Sequence, residues 1–202
     1  MVFIMNLTKP VILASGSPRR KELLALAGFN FTVRPANGEE VTTKTLPCDI
    51  VCELAHQKAF EIAKAQTAPC YVIGADTIVA FENRILGKPK DSADAVRMVS
   101  MLQGNTHQVY TGVTLIEVCA DGSLREKSFY EETNVHVCQM TKDEIASYVA
   151  TGEPLDKAGA YGIQGTFSIY VSGIEGDYFN VVGLPVSRLY HEFAAFQNAA
   201  HK

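Results

Sequence analysis

The chain has 202 residues, long enough for one medium domain or two small lobes with a substantial buried core. Its 18 lysines and arginines stand against 22 aspartates and glutamates, a net charge of -4, so the field of the whole molecule recruits neither nucleic acid nor an anionic membrane, and any anion site has to be local. No apolar run reaches membrane-spanning length, and the opening Met1–Met5 run is too short for a signal-peptide core and has no basic residue before it, which makes the cytoplasm the expected compartment.

The first predicted elements are a strand at Val11–Ala14, a tight turn at Ser15-Gly16-Ser17, and a helix that Ser17 caps and Pro18 begins. Arg19 and Arg20 fall in its first turn. Cations at the positive end of a helix cost roughly 0.3–1 kcal/mol each, so two of them point to an anion at that position, although the same residues also suit a capped surface helix with two solvated arginines. Gly28 ends the helix, and Phe29–Val33 alternates like a strand. The turn-rich loop Pro35–Glu40 follows, carrying Glu39 and Glu40 as either solvated acids or a metal or base site.

From Pro47 to Ala65 the apolar positions Ile50, Val51, Leu54, Ala55, Ala59, Ile62 and Ala63 define the core face of a helix, with Lys58 on the same side. A lysine beside an apolar stripe either snorkels to water or binds a ligand. The five cysteines, Cys48, Cys52, Cys70, Cys119 and Cys138, are scattered and lack CxxC spacing, as expected of reduced intracellular thiols. Cys48 and Cys52 lie one helical turn apart, but no second pair completes a zinc set.

An apolar strand from Tyr71 runs into Asp76 and Thr77 at its expected end, and a hairpin of Ile78–Phe81 with Arg84–Leu86 turns at Glu82-Asn83 and leaves through Gly87-Lys88-Pro89. An acid at a strand end is either a catalytic group on a rigid element or a simple turn cap. A helix begins at Asp91-Ser92 and closes at Gly104. His107–Val118 and Phe129–Cys138 read as two long strands joined near Asp121-Gly122; His107 and His136 become ligands only where the fold adds acids to them. Thr141-Lys142-Asp143-Glu144 is a capping box that opens a helix ended by Gly152. The segment Leu155–Gly165 is dense in glycine and sets Asp156, Lys157, Tyr161 and Gln164 close together, which suits close approach of backbone to a ligand better than a plain connector. A last hairpin-like stretch, Ser168–Val171 with Tyr178–Val182, precedes Gly183-Leu184-Pro185 and a terminal helix with Leu189, Phe193 and Phe196 inward.

Taken together, SGSPRR, GADTIV, GKP, LDKAGAYGIQG and NVVGLP resemble, in that order and over nearly the whole chain, the Maf family of nucleoside triphosphate pyrophosphatases. The resemblance implies a single Maf-like domain over residues 1–202. It also implies an α/β fold with an elongated mixed β-sheet flanked by helices, and two lobes around a deep cleft. The implied reaction is hydrolysis of a nucleoside triphosphate between its α and β phosphates, giving monophosphate and pyrophosphate with a divalent cation. Asp76 matches the family's proton acceptor, while Arg19, Thr77 and Gln164 match positions associated with substrate choice. The branch acting on 7-methyl-guanosine triphosphate tends to carry SDQ after the first strand; ADT and GIQG in this chain resemble the branch acting on thymidine and uridine triphosphates. A housecleaning role on other modified nucleotides is one alternative, and a nucleotide-binding regulator of septum formation with incidental hydrolysis is another. The resemblance also implies a homodimer.

The chemistry fits these roles. Phosphoryl hydrolysis needs a positioned water, a group to take its proton, and positive charge around the phosphoryl oxygens. A carboxylate with an ordinary pKa of about 4 is a weak base, so Asp76 needs a metal or a second acid, for which Glu40 is the candidate; Glu40 and Asp76 are the expected metal ligands, with Mg²⁺, Mn²⁺ and Co²⁺ equally suited to oxygen donors. Ser15, Arg19, Arg20, Lys58 and Lys88 are the expected phosphate-binding set, with Arg20 about 100° round the helix from Arg19. One amide such as Gln164 offers both the donor and the acceptor that uracil or thymine requires, a pattern that cytosine inverts. Thr77, next to Asp76, would point to the opposite face in a strand but could reach ligand from a strand end.

Overall fold

The computed structural model describes residues 7–82 and 84–199, so the Met1–Met5 run and Asn83 of the expected hairpin turn lie outside the described residues. A seven-stranded mixed sheet has the order β2-β1-β3-β5-β6-β7, with β4 on β3. The strands are β1 (Val11–Leu13), β2 (Phe31–Val33), β3 (Cys70–Phe81), β4 (Arg84–Leu86), β5 (Thr106–Val118), β6 (Leu124–Val137) and β7 (Val171–Glu175). Both β2 and β3 run parallel to β1, whereas β4 on β3 and β7 on β6 are antiparallel. The helices are α1 (Pro18–Leu26), α2 (Pro47–Lys64), α3 (Ser92–Leu102), α4 (Lys142–Ala150), α5 (Tyr178–Val182) and α6 (Val186–Asn198). None among the described residues is long and apolar enough to cross a membrane.

Local chemistry accounts for most of these boundaries. Ser17 caps α1 by accepting the Arg20 N–H, with Pro18 at the first helical position. Asp91 caps α3 through the Asp94 N–H, and Thr141 with Glu144 forms a complete capping box on α4. The seven apolar positions expected to face the core from α2 are its seven buried residues. All five cysteines are free.

The chain divides into two compact units, one of residues 1–76, 111–131 and 183–202 and the other of residues 77–110 and 132–182. Each has its own apolar core. In the first, Ile12, Ala14, Ala59, Ala63, Val72 and Ile116 pack together. In the second, Val79, Val99, Leu102, Val135, Tyr161 and Phe167 do so.

Two expectations are corrected. Asp76 does not end a strand: β3 continues to Phe81 and is almost entirely buried, so Asp76 sits in its middle and Thr77 follows on the alternate face. The expected last hairpin is absent, because Val171–Glu175 pairs with β6 instead and Tyr178–Val182 is a short helix. Hydrogen-bonded polar groups decide this. Asp177 accepts the Phe179 N–H at 2.8 Å, and the fully buried Asn180 amide donates to the Val109 carbonyl and to Thr133 Oγ1, each at 3.0 Å. Smaller shifts lengthen β6 back to Leu124 and shorten the Phe29–Val33 strand to Phe31–Val33, Phe29 packing edge-on against Phe193 instead.

Candidate active site

In the first unit the packing of α2 on the sheet sets the geometry. A Cβ at Gly74 would lie 2.3 Å from the Ala55 carbonyl oxygen and 2.8 Å from Ala59 Cβ, and one at Gly112 would lie 2.3 Å from the Val51 carbonyl oxygen. Glycine at both positions therefore lets the α2 backbone lie directly on β3 and β5. Lys58, beside Ala59, and Asp76, two residues beyond Gly74, meet as a consequence. Lys58 Nζ donates to Asp76 Oδ1 at 2.5 Å and lies 3.0 Å from Glu40 Oε1. Lys58 and Asp76 are largely buried, whereas Glu40 is half exposed. Of the two alternatives for Lys58, the snorkelling one is corrected: its ammonium turns inward to bridge two carboxylates.

The loop that carries Glu40 is tied to α2 by three side chains spaced four residues apart. Glu53 Oε2 accepts from Thr42 Oγ1 at 2.5 Å. Gln57 accepts the Val41 N–H at 3.3 Å and donates to the Val41 carbonyl at 2.5 Å. Glu61 accepts the Asn37 and Gly38 N–H groups at 3.0 and 2.9 Å, and these two donors hold its carboxyl below the ordinary value. Beside this loop a cavity of about 600 Å³ is lined by Glu39, Glu40, Gln57, Lys58, Phe60 and Lys64, among others.

Arg20 belongs to the same constellation. Its Nε donates to the Gly183 carbonyl at 2.9 Å and its Nη1 to Ser15 Oγ at 3.3 Å. Ser15 is buried and also accepts the Ser17 N–H at 3.3 Å. Burial pulls the Arg20 guanidinium below its ordinary value, the charge of Arg19 adds to that pull, and Asp76 and Glu40 oppose it. Lys58 thus bridges Asp76 and Glu40, while Arg20 feels the charges of both carboxylates and of its neighbour Arg19. Among the described residues no three His, Cys, Asp or Glu side chains form a metal cluster. Glu40 and Asp76 alone still suit Mg²⁺-type binding, in which one or two carboxylates act together with substrate phosphates, because both converge on the single Lys58 ammonium.

The other expected site residues, Thr77, Lys88 and Gln164, belong to the second unit. Thr77 is half buried, and Lys88 is exposed just after β4. Gly165 N–H bonds the Gly162 carbonyl at 3.1 Å, which makes Ile163 and Gln164 the corner of a tight turn, with Gln164 exposed. Behind it, Tyr161 is buried against His107, whose Nε2 lies 2.7 Å from the Tyr161 hydroxyl. Burial, with a lesser push from His136, brings the His107 imidazole down to about 4, so it stays neutral as a core residue. His136 sits near Thr106 and Glu175.

Sequence reasoning missed Glu53, Gln57, Glu61 and Glu153. The first three had a signal in their four-residue spacing on a face of α2 away from its core stripe. Glu153 had none, since its partner Thr166 is thirteen residues away.

The sequence matches the family described as Maf-like protein over residues 10–196. It is 53% identical over 194 residues to a dTTP/UTP pyrophosphatase of Agathobacter rectalis, covering 90% of this chain and 95% of that protein. It is 51% identical over 186 residues to a dTTP/UTP pyrophosphatase of Lachnoclostridium phytofermentans, covering 92% and 94%. Among solved structures, a HAM1 protein from Coxiella burnetii aligns with 93% of this chain and 100% of its own at a TM-score of 0.49 and 16% identity.

Proposed function

This chain belongs to the Maf-like protein family, and from that premise we propose that it is a nucleoside triphosphate pyrophosphatase that hydrolyses dTTP and UTP to the monophosphate and pyrophosphate. The observation that carries this reading is identity above half, over nine-tenths of the chain, to proteins of that activity, in a molecule where Asp76, Lys58 and Glu40 form one hydrogen-bonded set.

Asp76 accepts the proton of the attacking water. Lys58 fixes one carboxylate oxygen, Oδ1, which leaves Oδ2 for that water. Being mid-strand and backed by α2, Asp76 cannot swing away, so the water it holds is oriented as well as deprotonated. Arg19, at the positive end of α1, and Lys58 receive phosphoryl oxygens. Arg20 ties Ser15 to Gly183 and so holds the turn before α1 in shape while adding its charge. Glu40 and Asp76 would hold a divalent cation, which when bound supplies charge to the phosphoryl oxygens and acidifies water. Lys88 adds a phosphate contact, Gln164 reads the pyrimidine edge, and Thr77 takes part in substrate choice. Such an enzyme removes nucleotides from the pool, a housecleaning role suited to the cytoplasm, and it works as a homodimer.

The test is product analysis. The purified protein is given canonical and modified triphosphates with Mg²⁺, Mn²⁺ or Co²⁺, and monophosphate and pyrophosphate are quantified. Preferential turnover of dTTP and UTP with stoichiometric pyrophosphate is expected. Release of orthophosphate, or a preference for purines including 7-methyl-GTP, would contradict the assignment.

A further inference from the structure

Glu153 begins the irregular segment after α4 and carries none of the roles assigned so far. It is only partly exposed, and its side chain is fully engaged. Oε2 accepts the Thr166 N–H at 2.9 Å and the Thr166 hydroxyl at 2.6 Å, while Oε1 accepts the Tyr148 hydroxyl at 3.4 Å. Burial pushes the Glu153 carboxyl up, but the Thr166 donors, Lys157 and the Tyr148 hydroxyl outweigh it and leave the group below its ordinary value, so it stays ionised.

These bonds lie directly beneath the turn that presents Gln164. A Cβ at Gly165 would stand 1.9 Å from Glu153 Oε1, so the carboxylate reaches its place only because residue 165 has no side chain. Lys157 closes the other side. Its Nζ donates to the Glu153 carbonyl at 2.8 Å, and its stem runs so near Gly162 that a Cβ there would lie 2.8 Å from Lys157 Cε. Ile163, the other corner residue, is packed against the apolar core of this unit. Four of the five residues from Gly162 to Thr166 are thus fixed from below or by the turn itself, and the exposed Gln164 stands between them at the corner.

We propose that Glu153 is the positioning residue for base selection, its carboxylate latching the Gly162–Thr166 turn so that the Gln164 amide meets a uracil or thymine edge from one fixed distance and direction. The inference rests on the dTTP/UTP reading through Gln164. The Gln164 amide rotates about its own Cγ–Cδ bond whether or not the turn is held, and a flipped amide suits cytosine. What a latched turn fixes is the distance and direction from which the amide approaches a base edge, and hence which base it meets in bonding geometry. Discrimination therefore depends on holding the turn, and a charge-assisted bond to two donors of one residue is a strong way to hold it.

The experiment measures kcat and KM for UTP, dTTP and CTP, with thermal midpoints, for the full-length wild type and for Glu153→Ala, Glu153→Gln, Gln164→Ala and the Glu153→Ala/Gln164→Ala double variant. Glu153→Ala is expected to lower the UTP-over-CTP ratio of kcat/KM about tenfold, through KM for UTP and with kcat retained. Glu153→Gln, which keeps an oxygen for Thr166, recovers part of that ratio. In the Gln164→Ala background, removal of Glu153 produces no further loss of discrimination. Should Glu153→Ala not fold, Thr166→Val carries the same test with a severalfold loss expected. Wild-type discrimination in the folded Glu153 or Thr166 variants overturns the inference, as does an equal fall for UTP and CTP in both backgrounds. A wild type without preference for UTP over CTP, or a Gln164→Ala variant that keeps it, overturns instead the reading on which the inference rests.

Discussion

The two units of this protein place their functional groups on opposite kinds of support. In the first, Asp76 and Lys58 stand on a buried strand and the helix laid against it, so their 2.5 Å contact is set by backbone packing through Gly74 and Gly112. In the second, Gln164 stands at the corner of an exposed turn, held by side chains: the Glu153 carboxylate, the Lys157 stem and the buried Tyr161–His107 pair. On the roles proposed for these residues, the difference follows from the work asked of each. Proton transfer and charge compensation depend on sub-ångström distances and low dielectric, which regular elements supply. Reading one base edge depends on orientation at a surface open to ligand, which a latched loop supplies.

Perturbing each support separately sharpens this contrast. The largest effect is expected from Lys58→Met, which keeps the apolar stem on the α2 face but leaves Glu40 and Asp76 without their shared cation; kcat/KM should fall about 10²–10³-fold for every nucleotide, with the UTP-over-CTP ratio unchanged. Steady-state kinetics on the two substrates decide it, and a selective loss for UTP would erase the distinction between the units.

The second unit should instead show itself in stability against pH. The folded value of His107 lies near 4, below the ordinary 6.5. As pH falls below about 6.5 the unfolded chain takes up a proton that the folded chain refuses, so this contribution is complete above that pH and declines down to about 4, a loss of about 3 kcal/mol. Thermal midpoints between pH 7 and 4 should drop with that profile, and His107→Gln should flatten the drop. Gly74→Ala comes next. Its methyl group drives α2 off β3, at a cost of about 1–3 kcal/mol, and turnover should fall more than stability alone accounts for because Lys58 moves with the helix. Smallest is Glu61→Gln, which keeps the shape of the group that receives Asn37 and Gly38 but not its charge; a severalfold fall in kcat/KM, with base preference intact, is expected from the loosened Glu40 loop.

Much of the first unit was legible in the sequence because its signals are local. The Ser17 cap, the Pro18 start and all seven core positions of α2 are consequences of residues within a few turns of one another. The pairing of Lys58 with Asp76 was not, since it joins residues eighteen apart through a packing that only the lack of a side chain at Gly74 permits. The placement of Asp76 mid-strand was hidden by its charge, which reads as the end of an apolar run. In the second unit the Gly-rich segment announced itself by composition, but its latch did not: nothing near Glu153 distinguishes it from a surface acid. The short helix Tyr178–Val182 was misread as a strand because its apolar pair, Val181 and Val182, favours extended structure, while the Asn180 hydrogen bonds that fix it are long-range.

The most direct test of the account is the Asp76→Asn variant, studied for affinity and turnover together. Binding of dTTP is measured calorimetrically and pyrophosphate release under single-turnover conditions, both against wild type with the same divalent cation. The account predicts affinity close to that of wild type and a rate lower by about 10²–10⁴-fold. A variant that binds dTTP and releases pyrophosphate at the wild-type rate would contradict it, and would move the proton acceptor away from Asp76.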